Sequence, residues 1–322
     1  MDPGSWNISS CQIIPKKIMS SPKKPSSLNY GSPLGIILFL LPGVGVYTLF
    51  MLYPSLLSLV YSFLEWQGGP INKAPFAGLD NFIQMFGDKY ILMALGNNLR
   101  MLTLNWAFQL PIALLLAYLL SRLRRGVTFY RFIFYIPVIL PVATMALLWR
   151  FIFSGNQYGL LNNMLEMLHL ENLIRPWLSG DGIVQWTTSF PGAYDSVGFF
   201  IIIFMAALVG ISEEQYEASA IDGANSWQQF IYVTIPNMRG VYIYAMILAM
   251  QAALGGFIFP LLMTKGGPLH LSETLISYSL YLLWEKKTWG YGSAVATLSF
   301  LLGIIATGLV WKYGRRGQEI SY

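Results

Sequence analysis

A chain of 322 residues that is 55% hydrophobic, 15% aromatic and only 11% charged, with a mean hydropathy of +0.53, is built for a solvent other than water. Soluble globular domains carry roughly 25% charged residues, so an ordinary soluble enzyme or binding module is excluded. The net charge of +5 points to no nucleic-acid partner, because the basic residues gather in short clusters beside apolar runs, where they set orientation in a bilayer.

In chain order, residues 1–33 form a basic segment with neither the apolar core nor the cleavage pattern of a secretory signal. It reads as a flexible cytoplasmic tail. Its Cys11, the single cysteine of the chain, excludes an intrachain disulfide and a multi-thiolate metal site. A membrane span needs about 20 apolar residues to cross about 30 Å of hydrocarbon. Six segments qualify, at 34–63, 99–121, 132–153, 196–211, 241–263 and 292–311, within a membrane region 34–312 followed by a short cytoplasmic tail, 313–322. The fourth is the shortest, and the preceding "SFPGAYD" would lengthen it. With the N-terminus cytoplasmic, twelve of the twenty basic residues fall on that side, so both termini are predicted there. The opposite side receives the long connections 64–98, 154–195 and 264–291. Near it lie Trp66, Trp149, Trp177, Trp284 and Trp289, placed as interfacial anchors. The predicted class is an all-α polytopic membrane protein with six transmembrane helices.

Polar side chains inside such spans either bond to another helix or line a pathway. Asn105 and Gln109 in the second span, Thr144 in the third and Gln251 in the fifth carry both readings. Arg100 and Arg150, near span ends, snorkel to water. Pro111, Pro137 and Pro141 are expected to kink their helices. A secondary transporter usually shows an inverted repeat, interrupted spans and intramembrane carboxylates for ion coupling, and the spans as drawn hold no carboxylate near their centres, which argues against one. His169 and His270 lie in connections with no triad or metal spacing, which argues against a membrane-embedded enzyme.

One elaborate polar segment stands between the fourth and fifth spans: "ISEEQYEASAIDGANSWQQFIYVTIP", residues 211–236. Ser212 and Gln215 have capping-box spacing, with Glu213 and Glu214 in the first turn, where the helix dipole favours negative charge. Gly223 follows where a helix ends in a left-handed residue, and Asn225 and Ser226 offer new N-caps. Trp227, Phe230, Ile231 and Thr234 then share one face, and Pro236 marks a turn before the next span. The first helix is acidic, with Glu213, Glu214, Glu217 and Asp222, whereas lipid-seeking helices are rich in Lys and Arg. It is built to dock on a protein.

The segment closely resembles the EAA loop of the membrane subunits of bacterial binding-protein-dependent ATP-binding-cassette importers, of the maltose and glycerol-phosphate type. Glu217, Ala218, Asp222, Gly223, Ala224, Phe230, Ile235 and Pro236 fall on that pattern. Ser219 replaces the second alanine of the usual triplet, and Ser212 stands where proline is common. Weaker matches run from "GLDNF" at 78–82 through "LLWRFIFSGNQYGLLNNML" at 147–165 and "TKGGP" at 264–268 to "GYGSAVATLSFLL" at 290–302.

The resemblance implies a type I importer permease fold, with a family core from about residue 95 and a cytoplasmic coupling loop over 212–240 that docks in a cleft of an ATPase subunit. The chain has no G-x-x-x-x-G-K-[ST] phosphate cradle. It is therefore read as no enzyme and as holding no cofactor or metal itself, with ATP and Mg bound by the ATPase partner. The implied assembly lies in the bacterial cytoplasmic membrane and adds a second permease, two ATPase subunits and an extracytoplasmic binding protein that delivers a carbohydrate. The alginate-oligosaccharide importer is one candidate within the family, and Lys286 and Lys287 are compatible with an acidic sugar. By analogy with maltose-type subunits, Gly198, Phe200, Gln251, Gly255 and Gly256 are pathway candidates. Close packing of helices through the small residues is the alternative.

Overall fold

The computed structural model describes residues 33–156, 159–180 and 182–315. The expected tail before residue 33, with Cys11, and the tail beyond 315 lie outside the described residues. The chain falls into two compact units, divided after Pro54. Among the described residues the structure is helical, apart from one isolated bridge between Leu64 and Phe76.

The first unit contains α1 (Pro33–Tyr47), a π-turn (Thr48–Leu52) and the opening residues of α2 (Tyr53–Tyr61). Together they make one apolar element, Leu34–Tyr61, of 28 residues. In the second unit α3 (Asp80–Gly87) leads into α4 (Lys89–Leu104), a π-turn (Asn105–Gln109) and α5 (Leu110–Ser121). After α6 (Val127–Ile139), α7 (Val142–Ile152) and the short α8 (Leu160–Met167), the fourth span is built from α9 (Val184–Asp195) and α10 (Val197–Leu208). The polar loop folds as α11 (Glu213–Ile221) and α12 (Ser226–Gln229), which passes through a π-turn (Phe230–Thr234) into α13 (Ile235–Gly255). The chain ends with α14 (Ile258–Thr264), α15 (Leu275–Trp284) and α16 (Trp289–Arg315).

Five elements are long and apolar enough to cross a membrane, and α6 with α7 makes a sixth if that bent pair is counted as one. The kink expected within the span 132–153 is a bend of 92°, sharp enough to divide it into two helices. Its cause is Pro141, whose ring excludes the preceding residue from helical geometry; Leu140 is extended at ψ 141°. Pro137, by contrast, sits inside α6.

The three π-turns share a cause. Each is followed two residues on by a proline: Pro54, Pro111 and Pro236. A helical proline lacks an N–H and collides with the carbonyl four residues back. Here that carbonyl belongs to the middle residue of each π-turn, Phe50, Ala107 or Tyr232, and the wider i→i+5 ring relieves the contact. Pro111 therefore widens its helix instead of breaking it. The turn expected at Pro236 is likewise absent, and Ser226–Thr264 forms one 39-residue element, interrupted at Gly256 and Phe257.

The fourth span begins at Val184, not 196, and runs 25 residues. Its first half looks too polar to enter a bilayer, yet the hydroxyls of Thr187, Thr188, Ser189 and Ser196 donate to the carbonyls of Ile183, Val184, Gln185 and Gly192 one turn back. Satisfied in this way, they bury. The sixth span also outruns its expected limits and carries helix past 313, where a tail was expected.

The main core gathers α5, α10 and α13 around Leu110, Phe200, Ile201, Phe204 and Met238. The axes approach through two pairs of fully buried alanines spaced four apart, Ala113 with Ala117 and Ala245 with Ala249, as small residues allow between membrane helices. Trp149, expected as an interfacial anchor, instead stacks on Phe153 and meets Phe190 and Tyr194 edge-on.

Candidate functional site

The polar loop is a helix, an elbow and a second helix. Ser212 caps α11, but its Oγ accepts from the amide of Glu214 at 3.2 Å, and the box expected with Gln215 does not close. Gln215 is drawn away by Asn237, which donates to its Oε1 at 2.8 Å. Gly223 adopts φ +82°, and a Cβ there would meet nothing within 4 Å, so conformation and not crowding requires the glycine. The complete capping box lies at Asn225, which accepts from the Gln228 amide at 2.9 Å while its own amide donates to Gln228 Oε1 at 2.8 Å. Beyond it the π-turn alters the expected shared face: Phe230 and Thr234 are buried, whereas Trp227 is 59% exposed.

Attachment of α11 to the rest is slight. The Tyr216 hydroxyl pairs with Thr234 Oγ1 at 2.9 Å, Gln229 donates to the Tyr216 carbonyl at 3.2 Å, and the Arg122 guanidinium lies 4.4 Å from the Tyr216 ring. The helix buries no residue. Glu213, Glu214, Glu217, Ala218, Asp222 and Gly223 are exposed, Ser219 and Ala224 half-buried, and Pro236 exposed. Ile221 stands 87% exposed beside them. Among the described residues none of the four carboxylates has an ion pair.

Within the spans two adjoining cavities, of about 210 and 310 Å³, share Asp195, Ser196 and Ala252 in their walls. Asn105, Gly255 and Gly256 border the first; Gln109 and Phe200 border the second. Asn105 also ties helices together, donating to the Ala249 carbonyl at 2.9 Å. The glycine pair divides: a Cβ on Gly255 would meet open space, while one on Gly256 would come 2.6 Å from Met101 Cε.

Three candidates stand elsewhere. Gly198 seats α10 against α6, where a Cβ would lie 2.0 Å from the Phe134 carbonyl oxygen, and it borders neither cavity. Gln251 donates to Thr307 Oγ1 at 2.7 Å and to the Gly303 carbonyl at 3.3 Å, a bond between helices of the kind weighed against a pathway role. Thr144 is exposed and borders neither cavity.

The residue that sequence reasoning missed is Asp195. With the span starting at Val184 it lies near mid-element, which overturns the expectation that no carboxylate sits near a span centre. Its Oδ1 is buried without a hydrogen-bond partner, and so is Oε1 of Gln109, a residue 1% exposed. The available signal was the run of Ser and Thr before it, spaced for bonding one turn back.

A family model described as binding-protein-dependent transport system inner membrane component matches residues 109–316. The probable ABC transporter permease protein YurN of Bacillus subtilis is 30% identical over 284 residues, covering 88% of this chain and 96% of its own. The diacetylchitobiose uptake system permease protein NgcF of Streptomyces coelicolor is 29% identical, covering 84% of this chain and 80% of its own. The fold is shared with a chain in the crystal structure of a bacterial ABC transporter involved in the import of the acidic polysaccharide alginate, at a TM-score of 0.77 and 21% identity over 88% of this chain and 96% of that one. The chain belongs to the family of binding-protein-dependent transport system inner membrane components.

Proposed function

We propose that this chain forms one half of the translocation pathway of an ATP-driven importer, with a carbohydrate or oligosaccharide as its solute. The observation that carries the reading is α11: an acidic helix at the end of a long membrane element, exposed along its length and ending in a left-handed glycine. Family membership supports it, and the sugar assignment rests on what similar permeases are named for, such as diacetylchitobiose uptake. In this reading residues 212–240 are the EAA loop, with Glu217, Ala218, Ser219, Asp222, Gly223, Ala224 and Pro236 meeting the ATPase. ATP and Mg bind that partner and not this chain. A second permease and two ATPase subunits complete the membrane assembly, and an extracytoplasmic binding protein delivers the solute. Both termini and the loop face the cytoplasm, and lipid covers the apolar outer faces.

The test is to purify the chain with its co-expressed partners and measure ATPase activity as binding protein loaded with each of a panel of neutral and acidic oligosaccharides is added. Stimulation by one loaded binding protein is expected; a complex with no ATPase subunit, or with activity indifferent to every loaded binding protein, would sink the reading. Orientation is checked separately in a Cys11→Ser background. Pro70→Cys, Gly180→Cys and His270→Cys should react with impermeant thiol reagents added outside intact cells, and Asn225→Cys should not.

A further inference from the structure

We infer that the two adjoining cavities form a subsite for a neutral, hydroxyl-rich solute, with the Asp195 carboxylate as its acceptor, and that Asp195 turns acidic solutes away. This rests on the importer reading above and names the solute chemistry that such an importer would accept.

The walls hold one charged acceptor, the half-buried Asp195 carboxylate. Asp195 Oδ1 and Gln109 Oε1 are buried and unpartnered, and a buried polar atom left so is costly until something bonds to it. The walls offer few donors beside that carboxylate. The Ser196 hydroxyl is committed to the Gly192 carbonyl and one of the two Asn105 amide hydrogens to Ala249, which leaves the second hydrogen and the Gln109 amide as the donors these walls hold. The remaining lining is Val138, Phe199, Phe200, Leu248 and Ala252 in the larger cavity, none with a polar side chain. No lysine or arginine borders either cavity.

A solute whose hydroxyls both donate and accept, as those of a sugar do, matches walls that hold a carboxylate and two amides. Phe199, which is exposed, offers flat apolar surface beside the carboxylate, which suits the C–H face of a pyranose ring. A uronate or phosphate brings further acceptors and a like charge into a wall with no cation to offset it. The acidic sugar that Lys286 and Lys287 left open is disfavoured here. The shared fold with an alginate importer does not carry its solute across.

The test uses the assembled complex in proteoliposomes with Ala252→Cys in a Cys11→Ser background, since residue 252 borders both cavities. Taken relative to the ratio that the same two reagents show with a free small thiol in solution, the cationic trimethylammonium-ethyl methanethiosulfonate should be favoured over the anionic sulfonatoethyl reagent roughly tenfold at the introduced thiol, because a carboxylate in a cleft concentrates cations. Adding Asp195→Asn should erase most of that preference. A preference that survives Asp195→Asn, or a thiol that neither reagent reaches, overturns the inference.

The ATPase panel gives the second arm. If an oligouronate is the stimulating solute, the exclusion of acidic solutes is wrong while the importer reading stands. If no loaded binding protein stimulates, the importer reading fails and the thiol chemistry still decides the charge of the cavity. With a neutral stimulating solute, Asp195→Leu should lower uptake roughly tenfold and Asp195→Asn less, since the amide keeps an acceptor oxygen. Equal losses in two variants that assemble normally would leave Asp195 as packing only.

Discussion

The two connections that flank the fifth span are built on opposite plans. Residues 264–288, between α14 and α16, are sewn to the helices beneath them. Asn97 donates to the carbonyls of Leu271 and Glu273, each at 2.7 Å. Asn98 donates to the Ala253 carbonyl at 2.7 Å and accepts from the Leu275 amide at 3.0 Å, and Thr274 donates to the Gly256 carbonyl at 2.7 Å. The hydroxyls of Tyr278 and Tyr291 both donate to Asp88 Oδ2 at 2.8 Å. Burial, and then the Asp88 carboxylate, hold the Tyr278 phenol above its ordinary range, so it remains a donor at all working pH. Residues 212–225, at the other end, bury almost nothing and rest on a few polar contacts around Tyr216. A surface with so little of its own structure to hold it is free to be stabilised from outside, as the proposed coupling role of this loop requires.

The comparison breaks first at Asn98, which is fully buried. Asn98→Leu strands a backbone carbonyl and a backbone amide, which should cost about 2 kcal/mol or more. The measured outcome should be a lowered thermal midpoint and loss of assembled complex. Nothing comparable is expected from Glu217→Arg, whose midpoint should match the parent; a matching fall would mean the loop is structural after all.

Gly223→Val comes next, with a strain of roughly 1–2 kcal/mol confined to the elbow. Membrane expression should hold while ATPase stimulation by loaded binding protein drops severalfold. If Gly223→Val and Glu217→Arg both couple as the parent does, the loop is only a connector. The glycine pair sharpens the contrast within the spans. Gly255→Trp should leave assembly intact and block uptake, since its Cβ enters open space, whereas Gly256→Trp should impair assembly, because Met101 occupies the room. The reverse outcome would exchange their roles. The smallest effect belongs to Gln251→Leu, which loses a bond to Thr307 worth about 1 kcal/mol. Uptake kinetics should not change, and a shifted solute affinity would restore Gln251 to the pathway.

Much of this was legible in the residues. The apolar runs located the spans, and Gly223 with Asn225 announced the elbow and the second cap, because those features depend on one or two side chains acting on their own backbone. What escaped depends on context. The polar half of α9 disguised the start of the fourth span, since composition counts a hydroxyl as polar whether or not a carbonyl one turn back has taken its proton. Asp195 was lost with it. Gly198 and Gly255 are the same residue type, and only the neighbouring helix separates a packing contact from a cavity wall. Pro236 was read as a stop because a proline usually is; a widened turn one step ahead of it lets the helix continue.

That continuity has a mechanical consequence. From Phe230 to Gly255 the chain is helical without a break, so at 1.5 Å per residue it is a stiff arm roughly 37 Å long. Its near end carries the second helix of the loop, and its far end forms part of a cavity wall. A tilt of about 10° at the loop would sweep the far end by roughly 6 Å, which is more than the width of a water molecule. A small displacement at the loop would thereby be magnified at the cavity by leverage, with the packing of α13 against α5 and α10 shifting to follow it.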